Sequence, residues 1–568
     1  MKITNLLMTA AGASLLASTA MAGSHEARGR DGHVNLIYWQ AASIMNPYLS
    51  GGTKDTNAAS MVVEPLARYD ENGNMVAYLA EEIPTVANGG VSEDLTTITW
   101  KLKAGLKWSD GSAVTASDVV FTGGYCMDPD GGCQQIGQFS DVTNIEALDD
   151  VTVKITFGVP KPFPYGPFVG QETPILQEAQ FADCTGVAAP TCTDANFGPI
   201  GTGPFVVTDF RANDTISLEA NDNYRDATKP AFASVTFKGG GDAAAAARSV
   251  LETGEFDYAW NLQIAPEILV QMESKGMGTV LSSFGPLVER IMVNMTDPSA
   301  SLGDERSTVA HAHPFLSDIN VRKALSLAID RPLLVEVGYG KAGKPTCNVL
   351  PAPAIYNSTA NDACQVQDIA AANALLDGAG WARGSDGVRA KDGVRLSILY
   401  QTSTNAVRQD FQALIKQWWG EIGVETELKN IDGAVFFGGD QSSPDTFQKL
   451  FADVEMYANN FSGTDPEAYM GNWACSNIPS PENAWLGMNM PRHCSAEYDG
   501  LVAEMAETAD IATRAELAMA MNDILMQNYV IIPLVHRGNV SASANTLDGV
   551  ALNAWDSELW NIADWSRK

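Results

Sequence analysis

The sequence predicts a mixed α/β protein built of large lobes that interleave along the chain. Three observations predict it. Several segments alternate apolar and polar residues, as half-buried strands do. Others repeat apolar residues three and four apart, as amphipathic helices do. No Pro/Ser linker or short-period repeat divides the chain into independent modules.

Val34–Trp39 reads as a buried first strand. Thr97–Lys103 and Val151–Phe157 alternate cleanly and suit strands with one wet face. Thr115 with Asp118 fits a capping box that opens a helix into Val119, Val120 and Phe121. Ile216, Leu218 and Ala220, then Val235 and Phe237, mark further strands. Val321, Ala324, Leu325 and Ala328 form a helical stripe that Pro332 is expected to close. Val407, Phe411, Leu414, Ile415, Trp418 and Ile422 make the clearest helical face, and Val424, Thr426 and Leu428 begin the strand after it. Thr513 and Glu516 read as a second capping box, ahead of Leu517, Met521 and Leu525.

The chain has 568 residues, with 36 Lys+Arg against 68 Asp+Glu and a net charge of −32. That balance argues against a nucleic-acid partner, which needs basic surface, and against polybasic attachment to anionic lipid. Hydrophobic residues make up 45% and charged residues 18%, enough to bury large cores. Residues 1–22 read as a signal peptide: Lys2, an apolar run from Leu6 to Ala17, and a small-x-small site at Ala20-Met21-Ala22. Cleavage after Ala22 would leave a mature chain of charge −33 that begins at Gly23. The first cysteine is Cys126, so no lipid-bearing N-terminal Cys is expected, and no later stretch is apolar enough to span a membrane. An exported, periplasmic protein follows.

The cysteines fit that compartment. Cys126, Cys133, Cys184, Cys192, Cys347, Cys364, Cys475 and Cys494 fall into four close couples, each bracketing a loop-like stretch. Eight cysteines allow 105 connectivities. The local one is favoured, and zinc is not, because no C-x-x-C occurs. Gly239-Gly240-Gly241-Asp242 could open a phosphate cradle, but no Gly-Lys-Ser/Thr follows, so a structural turn is expected. His311 and His313 are expected in a solvated loop, with no third ligand. There is no Gly-x-Ser-x-Gly elbow and no His-Glu-x-x-His. No catalytic residue, cofactor or metal is expected.

Several segments together resemble the family 5 extracellular solute-binding proteins, the dipeptide- and oligopeptide-binding receptors of bacterial ABC importers. The first is Leu79-Ala80-Glu81 with Thr99-Trp100-Lys101-Leu102-Lys103-Ala104-Gly105-Leu106-Lys107-Trp108-Ser109-Asp110-Gly111, running on through Val114 to Phe121. The second is Gly201-Thr202-Gly203-Pro204-Phe205 with Asn221-Asp222-Asn223-Tyr224. The third is Val321-Arg322-Lys323-Ala324-Leu325 with Ala328-Ile329-Asp330-Arg331. Asp465-Pro466 and Ile532-Pro533-Leu534 fall where the family has its late elements.

The resemblance implies a periplasmic-binding-protein-like fold: two lobes with mixed sheets around a ligand cleft, joined by two crossing strands. Lobe I would take residues 23–286 and return at 537–568, and lobe II residues 287–536. The lobes would close over a solute, and the closed monomer would dock on an inner-membrane permease. The ligand would meet Trp39, Gln40 and Ser43, then Glu289, Arg290 and Met292, then Asn459, Asn460, Phe461 and Asp465, with His536 near the returning crossover. Arg290 reads equally as a pocket residue or a surface strand charge. The sequence departs from peptide-binding relatives at one place: Tyr457–Thr464 holds no acid to meet a ligand ammonium. A peptide-like solute is therefore one reading. An opine, polyamine, sugar or metal chelate in the same kind of receptor is another. A secreted hydrolase, or a sensor that binds another protein, would be of a different class.

Overall fold

The structure is a computed structural model that describes residues 27–440, 442–461 and 463–568. The signal peptide expected at residues 1–22 lies outside the described residues.

Six strands build most of one sheet: β1 (His33–Tyr38), β2 (Phe205–Arg211), β3 (Thr215–Ala220), β4 (Ser234–Gly239), β5 (Tyr258–Ala259) and β6 (Gly278–Ser283). The chain then leaves that sheet and lays down β7 (Val288–Val293), β8 (Gly343–Pro345), β9 (Ser397–Ser403), β10 (Glu425–Ile431), β11 (Val454–Asn459) and β12 (Ile531–Arg537). It returns as β13 (Asn539–Ala544). The first sheet has the order β6-β13-β5-β1-β4-β3-β2, and the second β8-β12-β7-β11-β9-β10. Both are mixed. β1 runs parallel to β4 and β5, whereas β13 is antiparallel to β5 and β6. β9 runs parallel to β10 and β11, whereas β7 is antiparallel to β11 and β12.

Each sheet centres a lobe. On β1 the two-residue period sends Val34, Leu36 and Tyr38 into one core and Ile37 toward another. On β7 the same alternation sends Ile291 and Val293 to one face and Met292 to the other. Every residue of β7 is buried. The helix Ala406–Glu421 lays Val407, Phe411, Ile415, Trp418 and Trp419 on the first of those faces. A three-stranded antiparallel sheet, ordered 97–101, 152–157 and 142–149, carries a further core in lobe I around Trp100 and Trp108. Its helix, Ala116–Met127, opens with the expected capping box of Thr115 and Asp118.

The lobes are joined twice. The chain crosses from β6 to β7 through residues 284–287 and back from β12 to β13 at Gly538. The crossings are tied together: the Arg537 amide donates to the Leu287 carbonyl at 3.0 Å, and His536 Nε2 donates to the Gly285 carbonyl at 2.7 Å. Glycine is needed at 285 for close approach, because a Cβ there would lie 2.3 Å from the Ala554 carbonyl oxygen.

All eight cysteines pair locally: 126–133, 184–192, 347–364 and 475–494. Loops this short stabilise by roughly 2–3 kcal/mol each on a chain-entropy basis.

Three local expectations need correction. Pro332 does not close the helix Ile319–Leu327; it sits in the first turn of the next one, Arg331–Gly338, where its missing N–H costs nothing. The helix Ile511–Gln527 is capped by Asp510, which accepts from the Thr513 amide at 2.8 Å, so Thr513 and Glu516 are not its box. His313 is not solvated: it is 1% exposed and bonds Asp453 at 2.8 Å. Gly240 and Gly241 take positive φ, and Asp242 caps the helix Ala243–Leu251, so that motif is a structural turn.

Candidate functional site

A cleft lies between the two sheets, below the paired crossings. It holds about 810 Å³ of space including its open mouth. Lobe I lines it with Gln40, Lys54, Gln171 and Trp260, and with Asp556 and Glu558 from the segment after β13. Lobe II lines it with Arg408, Phe437, Phe447, Tyr457, Asn459 and Asn460. Arg537, at the crossing, completes the wall. A second hollow of about 760 Å³ shares Gln171, Asn459 and Asn460 with the first and runs on toward Gln134 and Asn472. A third continues past Phe461 to Lys161 and Asp465. Together they form a trough instead of a single round pocket.

The lobes also touch along this trough. Gln263 donates to the Tyr339 hydroxyl at 2.8 Å, and Gln448 donates to Gln134 at 2.7 Å. Lys161 of lobe I, itself 3.0 Å from Asp141, pairs with Glu467 of lobe II.

Most buried charges near the cleft are matched. Glu289 is fully buried and receives Arg408 Nε at 2.6 Å, the Tyr339 hydroxyl at 3.0 Å, and Arg537 at 3.6 Å. Burial pushes the Glu289 pKa up, but the two guanidiniums outweigh it and hold the carboxyl below its ordinary value. Lys54 pairs with Asp55 at 2.8 Å. Asp556 lies 3.6 Å from Arg68 and accepts from the Ser557 amide at 2.7 Å. Glu558 accepts from neutral donors, the Tyr258 hydroxyl at 2.5 Å, the Ser541 hydroxyl at 2.6 Å and the Trp260 side chain, and Arg537 acts on it electrostatically. Burial pushes its pKa up to about 6.

The residues expected to meet a ligand are spread over several settings. Gln40, Asn459 and Asn460 line the main cleft, and Phe461 and Asp465 line its extension. Trp39 lines a small hollow beside Gln40, and its ring N–H donates to the Asn261 carbonyl at 2.8 Å. Ser43 stands behind the wall, accepting from Lys54 Nζ at 3.0 Å and donating to Asp55 at 3.0 Å. Glu289 stands one layer back, behind Arg408 and Arg537. Met292 is core. His536 ties the crossings.

Arg290 is 1% exposed, so it is no surface charge. It sits among the rings of Tyr457, Tyr469 and Trp473, 5.3–5.7 Å from their centroids, and donates to the Tyr469 hydroxyl. Those rings are the back of the wall that Tyr457 and Tyr469 present to the trough.

Sequence reasoning missed Arg408, Arg537, Trp260 and Glu558. Arg408 hides inside the helical stripe beside Val407. The run Trp555-Asp556-Ser557-Glu558-Leu559-Trp560, two acids between two tryptophans, is the signal that would have pointed to the C-terminal wall.

Among the described residues no helix is long and apolar enough to cross a membrane, and no three His, Cys, Asp or Glu are grouped to hold a metal ion.

Known proteins resemble most of this chain. The model of the bacterial extracellular solute-binding proteins, family 5, matches residues 74–481. Protein XP55 of Streptomyces lividans is 30% identical over 387 residues, 68% of this chain and 64% of the relative, so the match spans a little under two thirds of that protein. The glutathione-binding protein GsiB of Escherichia coli K12 is 24% identical over 509 residues, 89% of each chain. Among solved structures, the oligopeptide-binding protein AppA of Bacillus subtilis, in complex with a nonapeptide, superposes with a TM-score of 0.81 at 21% identity, covering 96% of this chain and all of that one. The chain belongs to the family 5 bacterial extracellular solute-binding proteins.

Proposed function

We propose that this chain is the exported receptor of an ABC importer and that it carries a peptide-like solute in the interlobe trough. The observation that carries this reading is the trough itself: an elongated space walled by both lobes, whose backbone connects at two adjacent crossings. Such a geometry lets a solute enter an open form and be enclosed when the lobes meet. The mixture of aromatic rings, amides and paired charges suits a ligand with apolar side groups and many backbone polar groups. GsiB is named for glutathione and the AppA structure holds a nonapeptide. Both ligands are peptides, which favours this class over sugars. The lobes are residues 23–286 with 537–568, and residues 287–536. The mature chain starts after Ala22, acts in the periplasm as a monomer, and delivers its solute unchanged to a membrane permease.

Thermal unfolding against di- to pentapeptides, opines, polyamines and oligosaccharides tests the reading. A ligand at 100 times its Kd adds about 2.7 kcal/mol of stability. Peptides are expected to raise the Tm. A shift confined to another class moves the assignment to that class, and turnover of a bound peptide would make the protein a hydrolase.

A further inference from the structure

The geometry points to Glu558 as the seat for a positively charged group of the solute, an ammonium or a guanidinium; this rests on the receptor reading above. Glu558 is 4% exposed and lines the cleft. Its Oε2 accepts from Tyr258 on β5 and Ser541 on β13, both neutral donors, and among the described residues it has no ion-pair partner. The other charged groups of that wall are accounted for. Lys54 has Asp55, Arg408 has Glu289, and Asp556 has Arg68. Arg537 is the cation that faces Glu558 from the crossing, but its guanidinium is held by Asn261 at 2.5 Å and lies 3.6 Å from Glu289.

A carboxylate nearly cut off from water, with no cation in direct contact, is an unfavourable arrangement that an incoming cation relieves. With a pKa of about 6 the group is mostly ionised at neutral pH. Trp260 lines the same wall, fixed by stacking on Tyr38 with centroids 4.8 Å apart. The Trp260 side chain also donates to Glu558 and so holds the carboxylate in place at the wall. The chain's net charge of −32 also draws cations toward it.

The test is calorimetric titration of the wild type and Glu558→Gln with five probes: trialanine, N-acetyl-trialanine, arginine, spermidine and maltotriose. The Gln side chain keeps an acceptor oxygen for Tyr258 and Ser541. At least one of trialanine, arginine and spermidine is expected to bind the wild type and to lose tenfold or more in affinity in the variant. Should that variant not fold, Glu558→Asp keeps the charge but withdraws it by one methylene, and the same loss is read there. Equal affinity for the cationic probes in wild type and variant overturns the assignment. Binding confined to N-acetyl-trialanine or maltotriose also overturns it, while leaving the receptor reading intact. If no probe of any kind binds, both readings fall together.

Discussion

Asp465 and Glu558 stand on opposite walls of the trough, and both are acids nearly cut off from water. The Asp465 side chain is 5% exposed, and Glu558 is 4% exposed. Their surroundings differ. Arg514 grips Asp465 with Nη2 at 2.5 and 2.6 Å and with Nε at 3.0 Å, reaches Glu467 at 3.0 Å, and satisfies the carbonyls of Met505 and Thr508. Burial works against the Arg514 charge, but Asp465 and Glu467 outweigh it and hold its pKa above the ordinary value. Asp465 also accepts from the Glu467 amide at 3.0 Å, which anchors the start of the short helix Glu467–Gly471. Glu558 has neutral donors, Tyr258, Ser541 and Trp260, and no cation in direct contact, Arg537 acting on it only across space. A buried acid beside a cleft is therefore no sign of a ligand contact until its own partners are counted. Asp465 is spoken for by the fold, and Glu558 is not.

The largest expected effect comes from stripping the matched wall. Arg514→Ala leaves the buried Asp465 carboxylate without a cation, Glu467 keeping only Lys161, which should cost ~3–5 kcal/mol, read as a lower denaturant midpoint. A loss below 1 kcal/mol would erase the contrast. Asp465→Asn is milder, because Glu467 still balances Arg514; a cost of roughly 1–3 kcal/mol is expected, with affinity for trialanine within twofold of wild type. A large fall in that affinity would put Asp465 back among the ligand contacts.

The unmatched wall should show its strain in pH dependence. The folded pKa of Glu558, about 6, lies above the 4.5 of an ordinary glutamate. The folded state thus holds this proton more firmly, and the contribution is complete below pH 4.5 and lost as pH rises through 6. At pH 7.5, without ligand, Glu558→Gln should match or exceed the wild type by up to ~2 kcal/mol. The two should converge by pH 4.5, as followed by calorimetric melting. A variant less stable than wild type at pH 7.5 would mean that the carboxylate is already matched. The smallest effect is expected at Lys161, whose pair with Glu467 joins the lobes: Lys161→Met should change ligand release by no more than a few-fold in stopped-flow, because Arg514 still balances Glu467.

The framework was legible in the sequence because period and capping are local. The strand at His33–Tyr38, the helix at Ala406–Glu421 and the Thr115–Asp118 box follow from residues a few positions apart. The cysteine pairs were legible for the same reason. The cleft wall was only half legible. Gln40, Asn459 and Asn460 came from the resemblance, whereas Arg408 joins the same wall as Arg537 and Glu558 from more than a hundred residues away. Charge neutrality there is a property of the assembled wall, and no window of sequence displays it. Arg290 illustrates the converse: it reads equally as a pocket residue or a surface charge, and only the assembled fold shows three rings from distant positions surrounding it.

The four disulfides each close a loop inside one half of the molecule: 126–133 and 184–192 on one side, 347–364 and 475–494 on the other. None straddles the gap. Oxidation can thus firm up each jaw without clamping one to the other, and the covalent link between them is left to two short stretches of backbone.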